Sequence, residues 1–369
     1  MTFLHREREQ LARLLPGFDE QLSRQEPANL EARGSSVIRD FAAAGGAGLL
    51  VPREHGGLGA NATQATEVMR ALGSRSASVA VGTTMHHYKI AWLAETLQPE
   101  LRAPILERIA RQRLLVASCG AEGQQTGGVF NPGIEVREHH SGVVVNGVKR
   151  PCSLVWDMGI LSMLVRLPDG HPMSGEMAIL LIDADHPHLH RHELWLNDAL
   201  AASQTDEIRL KNVYVPPEAI IPIGADTAGK GASANLIWFE ILITAAYLGA
   251  ASGLVEAAAN APGAGIETVL DSIAMLEGAY LAVRGLAQRV DAGDRGQSAL
   301  ADGIICRVAA QRAIRESTSH ALRVLGIHAT PDNFRAAAAA RALAFHPGGT
   351  RDGIPALLNY YNGGRLVLS

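Results

Sequence analysis

Val143-Val144-Val145-Asn146-Gly147-Val148-Lys149-Arg150-Pro151-Cys152-Ser153 decides how the chain divides. Three β-branched residues run into Asn-Gly, the pair that most readily supplies positive φ at both central positions of a two-residue hairpin, so this stretch predicts a strand, a type I′ turn and a second strand. Further β-rich runs lie at Leu115 to Ser118, Gly133 to Arg137, Ile160 to Arg166, Met177 to Ile182 and Glu207 to Leu210. Val213-Tyr214-Val215-Pro216-Pro217 closes the series, because paired prolines cannot continue a hydrogen-bonded ladder. Residues 114–222 therefore read as a compact, barrel-like β domain.

Outward from it the texture is helical on both sides. Residues 1–113 carry helical periodicity up to Leu15, over Asn29 to Ala44, Ala65 to Leu72, Ser78 to Leu97 and Pro99 to Arg111. Val51-Pro52-Arg53-Glu54-His55-Gly56-Gly57-Leu58-Gly59 interrupts them as a loop, since three glycines and a proline in nine residues cannot sustain a helix. Residues 223–369 hold long Ala/Leu-rich segments at Ala234 to Ala259, Ile266 to Ala292, Ala299 to Leu325 and Asn333 to Ala344, which suggest an antiparallel four-helix bundle. The expected fold class is α+β, with a helical domain, a β domain and a helical bundle in that order.

Composition narrows the function. The 369 residues carry a net charge of -4, with 19% charged and 47% hydrophobic residues, and no basic stripe of the kind that binds nucleic acid. Met1 to Arg13 lacks the apolar core of a signal peptide. Ile241 to Val255 is shorter than the roughly 20 residues of a membrane span and reads as a buried core helix. Cys119, Cys152 and Cys306 show no metal-ligand spacing, and their odd number fits no complete disulfide framework. The expectation is a cytoplasmic protein with neither membrane nor nucleic acid as partner. His186, His188, His190 and His192 alternate and would share one face of a strand, but Pro187 and polar surroundings favour an exposed edge over a metal site.

Between Lys230 and Glu256 the only charge is Glu240, flanked by Leu236, Ile237, Trp238, Phe239, Ile241, Leu242 and Ile243. Burial raises a carboxylate's pKa towards neutrality, which suits a general base. The competing reading pairs Glu240 with an arginine elsewhere in the fold.

The order of segments resembles the acyl-CoA dehydrogenases. Val51 to Gly59 looks like their VP-x-x-x-GG-x-G loop, Asn146-Gly147-Val148-Lys149 like their NG-x-K hairpin, and Asp206 to Pro216 like their strand with a V-x-VP exit. The resemblance implies FAD between the β domain and the bundle, an acyl thioester of coenzyme A or a carrier protein as substrate, an electron acceptor of unknown identity, and a homodimer or homotetramer. It places Glu122, Thr126, Cys152, Ser153, Gly349 and Thr350 on cofactor positions, and His86, Trp238 and Phe239 on the acyl pocket. The family's usual C-terminal base is missing from Phe345-His346-Pro347-Gly348-Gly349-Thr350, whereas Glu240, followed by Ala245-Ala246, falls where isovaleryl-type members carry theirs. Other positions depart from the pattern. Ala121-Glu122-Gly123 replaces an acidic TEP segment, Pro151 and Ser153 replace a tryptophan and a threonine, and the cross-subunit R-x-x-FG motif has no counterpart in Ala257 to Leu270. His346-Pro347 resembles the H-D-P tail of flavin monooxygenases of the same fold, which use reduced flavin from a partner reductase and need no α-proton base. The resemblance thus implies a dehydrogenase with Glu240 as base, with a monooxygenase or a flavin-free scaffold as alternatives.

Overall fold

The computed structural model describes residues 3–120, 122, 133–223, 225–346 and 353–366. Helices come first: α1 His5–Leu14, α2 Phe18–Ser23, α3 Pro27–Glu31, α4 Val37–Ala43, α5 Ala62–Arg75, α6 Ala77–Thr96 and α7 Pro99–Gln112. The helix expected over Asn29 to Ala44 is two helices, because Gly34 turns the chain at φ +80 between α3 and α4. The glycines of the Val51 to Gly59 loop are required there. Gly56 and Gly59 adopt positive φ, and a Cβ at Gly57 would lie 2.1 Å from the Val51 carbonyl oxygen.

Strands follow: β1 Leu115–Cys119, β2 Glu135–His139, β3 Gly142–Cys152, β4 Met158–Arg166, β5 Met177–Asp183, β6 Leu189–His192, β7 Asp206–Val215 and β8 Ile220–Ile223. Among the described residues they form two four-stranded sheets, β1-β4-β5-β8 and β2-β3-β7-β6, antiparallel throughout except for β1 against β4.

The expected turn at Asn146-Gly147 is corrected by the structure. The chain reverses between β2 and β3 at His140, in the left-handed region at φ +52, and β3 runs straight through Asn146-Gly147. There the register against β7 jumps from Val145 opposite Val213 to Gly147 opposite Leu210. Gly147 takes φ +143 and the Asn146 side-chain oxygen accepts the Asn212 N–H at 2.7 Å. A bulge uses the same glycine freedom and the same asparagine acceptor as a tight turn, so the dipeptide alone does not separate the two. Of the alternating histidines, His190 and His192 lie on edge strand β6, while His186 and His188 precede it. No metal-holding group of three His, Cys, Asp or Glu residues exists among the described residues.

Helices then return as α8 Ala225–Ala259, α9 Leu270–Asp291, α10 Gln297–Leu325, α11 Pro331–Arg341 and α12 Gly353–Tyr361. The helical, β, helical order matches the expectation, with α12 added to the four helices read from the sequence. α8 is the hub and packs on α5, α6, α9, α10 and α11. Its stretch Ser233–Ala259 is long and apolar enough to cross a membrane, yet 83% of its most apolar window is buried against the rest of the protein.

Against α5 the contact is backbone to backbone. A Cβ at Gly73 would meet the Ala246 carbonyl oxygen at 2.1 Å, one at Gly249 the Arg70 oxygen at 2.2 Å, and one at Gly253 the Ser74 oxygen at 2.5 Å. Arg70, fully buried at this seam, is held by Glu7, Ser252 and Glu277. Gly249→Ala improves intrinsic helix propensity by about 1 kcal/mol, but the added methyl forces the helices apart, and overpacking costs typically ~1–3 kcal/mol. The expected result is a lower urea midpoint at unchanged m value; an equal or higher midpoint contradicts the close contact.

Candidate functional site

Three consecutive residues of α6 enter three different environments, because each helical step turns about 100°. His86 faces β1. Its Nδ1 accepts the Val116 N–H at 2.9 Å, which leaves the proton on Nε2 to be donated to the Ala47 carbonyl at 2.8 Å. It is fully buried, and burial pushes its pKa down to about 4, so this imidazole is a neutral tie between elements. His87 points into the N-terminal helices, its ring 5.6 Å from that of Phe41. Tyr88 turns towards α8, bonding Ser118 of β1 through its hydroxyl and meeting the Phe239 ring edge-on at 5.4 Å.

The expectation that His86 lines the pocket is therefore corrected, since backbone groups take both its ring nitrogens, and Tyr88 is the residue that turns towards Phe239. Phe239 also has the His346 ring 5.6 Å from its own, and Tyr247 lies 5.9 Å from His346. Trp238, one step round α8, looks away. Its indole N–H donates to Glu95 at 2.8 Å and Arg295 lies over its ring. Tyr88, Ser118, Phe239, His346 and Tyr247 thus form one aromatic and polar cluster where α6, β1 and α8 meet.

Glu240 is 1% exposed and lies against α10, where Gly303 allows close approach: a Cβ at Gly303 would be 3.3 Å from that of Glu240. Its partner is Arg307, fully buried, whose Nη1 donates to both carboxylate oxygens at 3.2 and 3.3 Å. Nη2 of the same guanidinium donates to the carbonyls of Leu343 at 3.2 Å and His346 at 2.7 Å. Burial pushes the Glu240 carboxyl pKa up, while the Arg307 charge and hydrogen bond act against that rise. A carboxylate with both oxygens committed to a permanent cation, itself anchored to two backbone carbonyls, is a strut between α8, α10 and the chain after α11. The structure therefore corrects the expectation of Glu240 as base in favour of the ion pair.

Of the expected cofactor residues, Thr126, Gly349 and Thr350 lie outside the described residues. Cys152 is corrected. It is buried with its Cα 5.3 Å from that of Cys119, within disulfide reach, and the two are paired; the fold brings together cysteines 33 positions apart and leaves Cys306 over. Ser153 shares a hydrogen bond with Thr205 at 2.9 Å. Glu122 accepts from Lys149 at 2.6 Å and from the Gly133 N–H at 2.8 Å. It borders a cavity of about 360 Å³ on the middle domain, with Gly133, Gly147, Arg150, Glu207 and Arg209 around it.

That cavity lies within the usual range for ligand pockets, roughly 300–1,000 Å³. Glu207 holds both arginines, Arg150 through Nη1 and Arg209 through Nε, so each guanidinium keeps further N–H donors. Two arginines beside side-chain-free glycine backbone form a donor set suited to a phosphate-bearing group.

Breaking a buried ion pair from one side costs about 3–5 kcal/mol, whereas replacing both partners by apolar groups is often neutral. Arg307→Met alone should lower the urea midpoint strongly, and Glu240→Leu combined with Arg307→Met should recover most of the loss. Additive losses in the double variant would contradict the pairing.

An acyl-CoA dehydrogenase N-terminal domain model matches residues 7–113. Over 379 aligned residues, covering all of both chains, the protein is 37% identical to isobutylamine N-hydroxylase of Streptomyces viridifaciens. Among solved structures, dibenzothiophene monooxygenase TdsC from Paenibacillus sp. A11-2 matches with a TM-score of 0.81 at 19% identity over 98% of both chains. The prolyl acyl carrier protein oxidase AnaB matches with a TM-score of 0.79 at 15% identity, over 96% of this chain and 98% of that one. These likenesses carry the fold across enzymes of different chemistry, and together with the full-length relative they make this chain a member of the acyl-CoA dehydrogenase superfamily.

Proposed function

We propose that the protein is a flavin-dependent monooxygenase that hydroxylates the nitrogen of a small amine. The observation that carries this reading is the commitment of both Glu240 oxygens to Arg307. Thioester dehydrogenation needs a carboxylate aimed at the substrate's α carbon, and Glu240 is instead turned into a buried ion pair with Arg307. Oxygenation of nitrogen needs instead a neutral amine held still in a water-poor cleft, because the amine's own lone pair is the nucleophile. Full-length likeness to an enzyme named isobutylamine N-hydroxylase supports the same reaction class.

The balanced reaction takes R–NH2, O2 and reduced flavin to R–NHOH, water and oxidised flavin. Bound flavin would supply the activated oxygen after reduction by a separate reductase. Solved structures of the fold hold FMN in TdsC and FAD in PigA, and both nucleotides carry phosphate. Arg150 and Arg209 would hold that phosphate, and the Ser153 and Thr205 hydroxyls would serve a polar ring edge. Where α6, β1 and α8 meet, the hydroxyl pair Tyr88–Ser118 and the His346 imidazole would orient the amine nitrogen and accept its proton. Phe239 excludes water beside them.

The test supplies chemically reduced flavin, isotopically labelled oxygen and isobutylamine. The expected product is isobutylhydroxylamine carrying one labelled oxygen, and Tyr88→Phe should slow its formation by about tenfold or more if the hydroxyl takes part in proton transfer. Failure to form labelled hydroxylamine from any primary amine would overturn the reading.

A further inference from the structure

The two sheets of the middle domain are joined by a covalent bond. Cys119, the last residue of β1, is bonded to Cys152, the last residue of β3, and both are 1% exposed. β1 belongs to the sheet β1-β4-β5-β8 and β3 to β2-β3-β7-β6, so the bond crosses from one sheet to the other. Cys306, buried in α10, is the cysteine left over.

Stability does not call for such a bond. A chain of 369 residues buries enough surface to fold without the staples that small domains need. What stands beside the bond is more specific. Successive side chains of a strand point to opposite faces, so Cys119 turns to the other sheet while Ser118 turns to α6 and shares a hydrogen bond with Tyr88. Directly after Cys152, Ser153 shares a hydrogen bond with Thr205, which in turn bonds Ser203. Ser118 is a hydroxyl of the amine reading and Ser153 one of the flavin reading. The sulfur bridge ties the two strand ends that carry them.

Backbone pairing holds this corner weakly. The register of β3 against β7 shifts between Lys149 and Cys152, and Pro151 in that gap has no N–H to donate. Among the described residues β1 is an edge strand, paired with β4.

We propose that the Cys119–Cys152 bond is a redox-sensitive positioning element: closed, it holds Ser118 and Ser153 at the spacing the site needs, and opened, it lets flavin affinity fall. Opening takes a dithiol reductant. The reductant's two thiols become its own disulfide, the protein's S–S bond breaks, and Cys119 and Cys152 each receive a proton as free thiols. Burial makes the step slow, because an attacking thiolate reaches either sulfur only through local opening. This rests on the flavin reading of Ser153 and adds regulation to it.

Protein equilibrated with oxidised or reduced dithiothreitol, then unfolded and alkylated, should show one reactive thiol in the first state, Cys306, and three in the second. The same count in both states overturns the proposal. FMN and FAD affinities, measured by fluorescence quenching below both thermal midpoints, should be about tenfold or more weaker in the reduced state. Cys119→Ala combined with Cys152→Ala should match the reduced protein and ignore dithiothreitol, whereas Cys306→Ala should respond as the wild type does. A bond with a structural role alone would lower the thermal midpoint and leave flavin affinity where it was, and that result overturns the assignment. If the double variant does not fold, the reduced wild type carries the comparison. Amide hydrogen exchange of β1 and of residues 150–155 keeps the two readings apart, since it should quicken on reduction whether or not flavin is bound. Quickened exchange without flavin binding in either state sinks the flavin reading alone. Flavin binding indifferent to reduction sinks only the redox element.

Discussion

The guanidinium of Arg307 is the fixed point of the site. One side chain, with no exposure to water, neutralises Glu240 on α8 and takes the carbonyls of Leu343 and His346. In a low-dielectric interior such a cation needs partners, and the groups that meet Nη1 and Nη2 are thereby fixed relative to one another. The chain leaving α11 is thereby pinned against α8, which sets the His346 ring beside Phe239 and Tyr247. The same pair ties up the one carboxylate of the apolar part of α8, the group that thioester chemistry would need.

What the α6, β1 and α8 junction presents depends on two further constraints. The glycine seam between α5 and α8 brings backbones into contact and ties the N-terminal helices to the C-terminal ones. α6 then fills the space beside them at a rotation fixed by His86, whose two ring nitrogens are both used by backbone groups. With that rotation set, Tyr88 reaches both Ser118 of β1 and Phe239 of α8. The site's chemistry thus follows from helix phase as much as from residue type.

The helix, β, helix order was legible because apolar periodicity and β-branched runs are local properties. Partnership across sequence was not. Glu240 stood out as a lone charge in an apolar helix, and ion pairing was one of its two readings, yet Arg307 comes 67 positions later in a helix with other charges such as Asp302 and Arg312. Nothing local marks it as the partner. Met85-His86-His87 pointed to the right helix and the wrong residue, since adjacent positions look in directions 100° apart. Tyr88 gives no sequence signal of its own; its meaning comes from the β1 and α8 surfaces it faces. Asn146-Gly147 illustrates the converse, a strong local signal satisfied by a bulge because β7 continues alongside. The pairing of Cys119 with Cys152 likewise depends on the ends of β1 and β3 meeting in space.

The central claim is that Glu240 is an ion-pair partner rather than a base. Anaerobic titration of the flavin-loaded protein with saturated acyl thioesters, read as loss of oxidised-flavin absorbance, tests it most directly. The account expects no bleaching with acyl-CoA or carrier-protein thioesters of any chain length. Bleaching by the wild type that is lost in Glu240→Gln would contradict it.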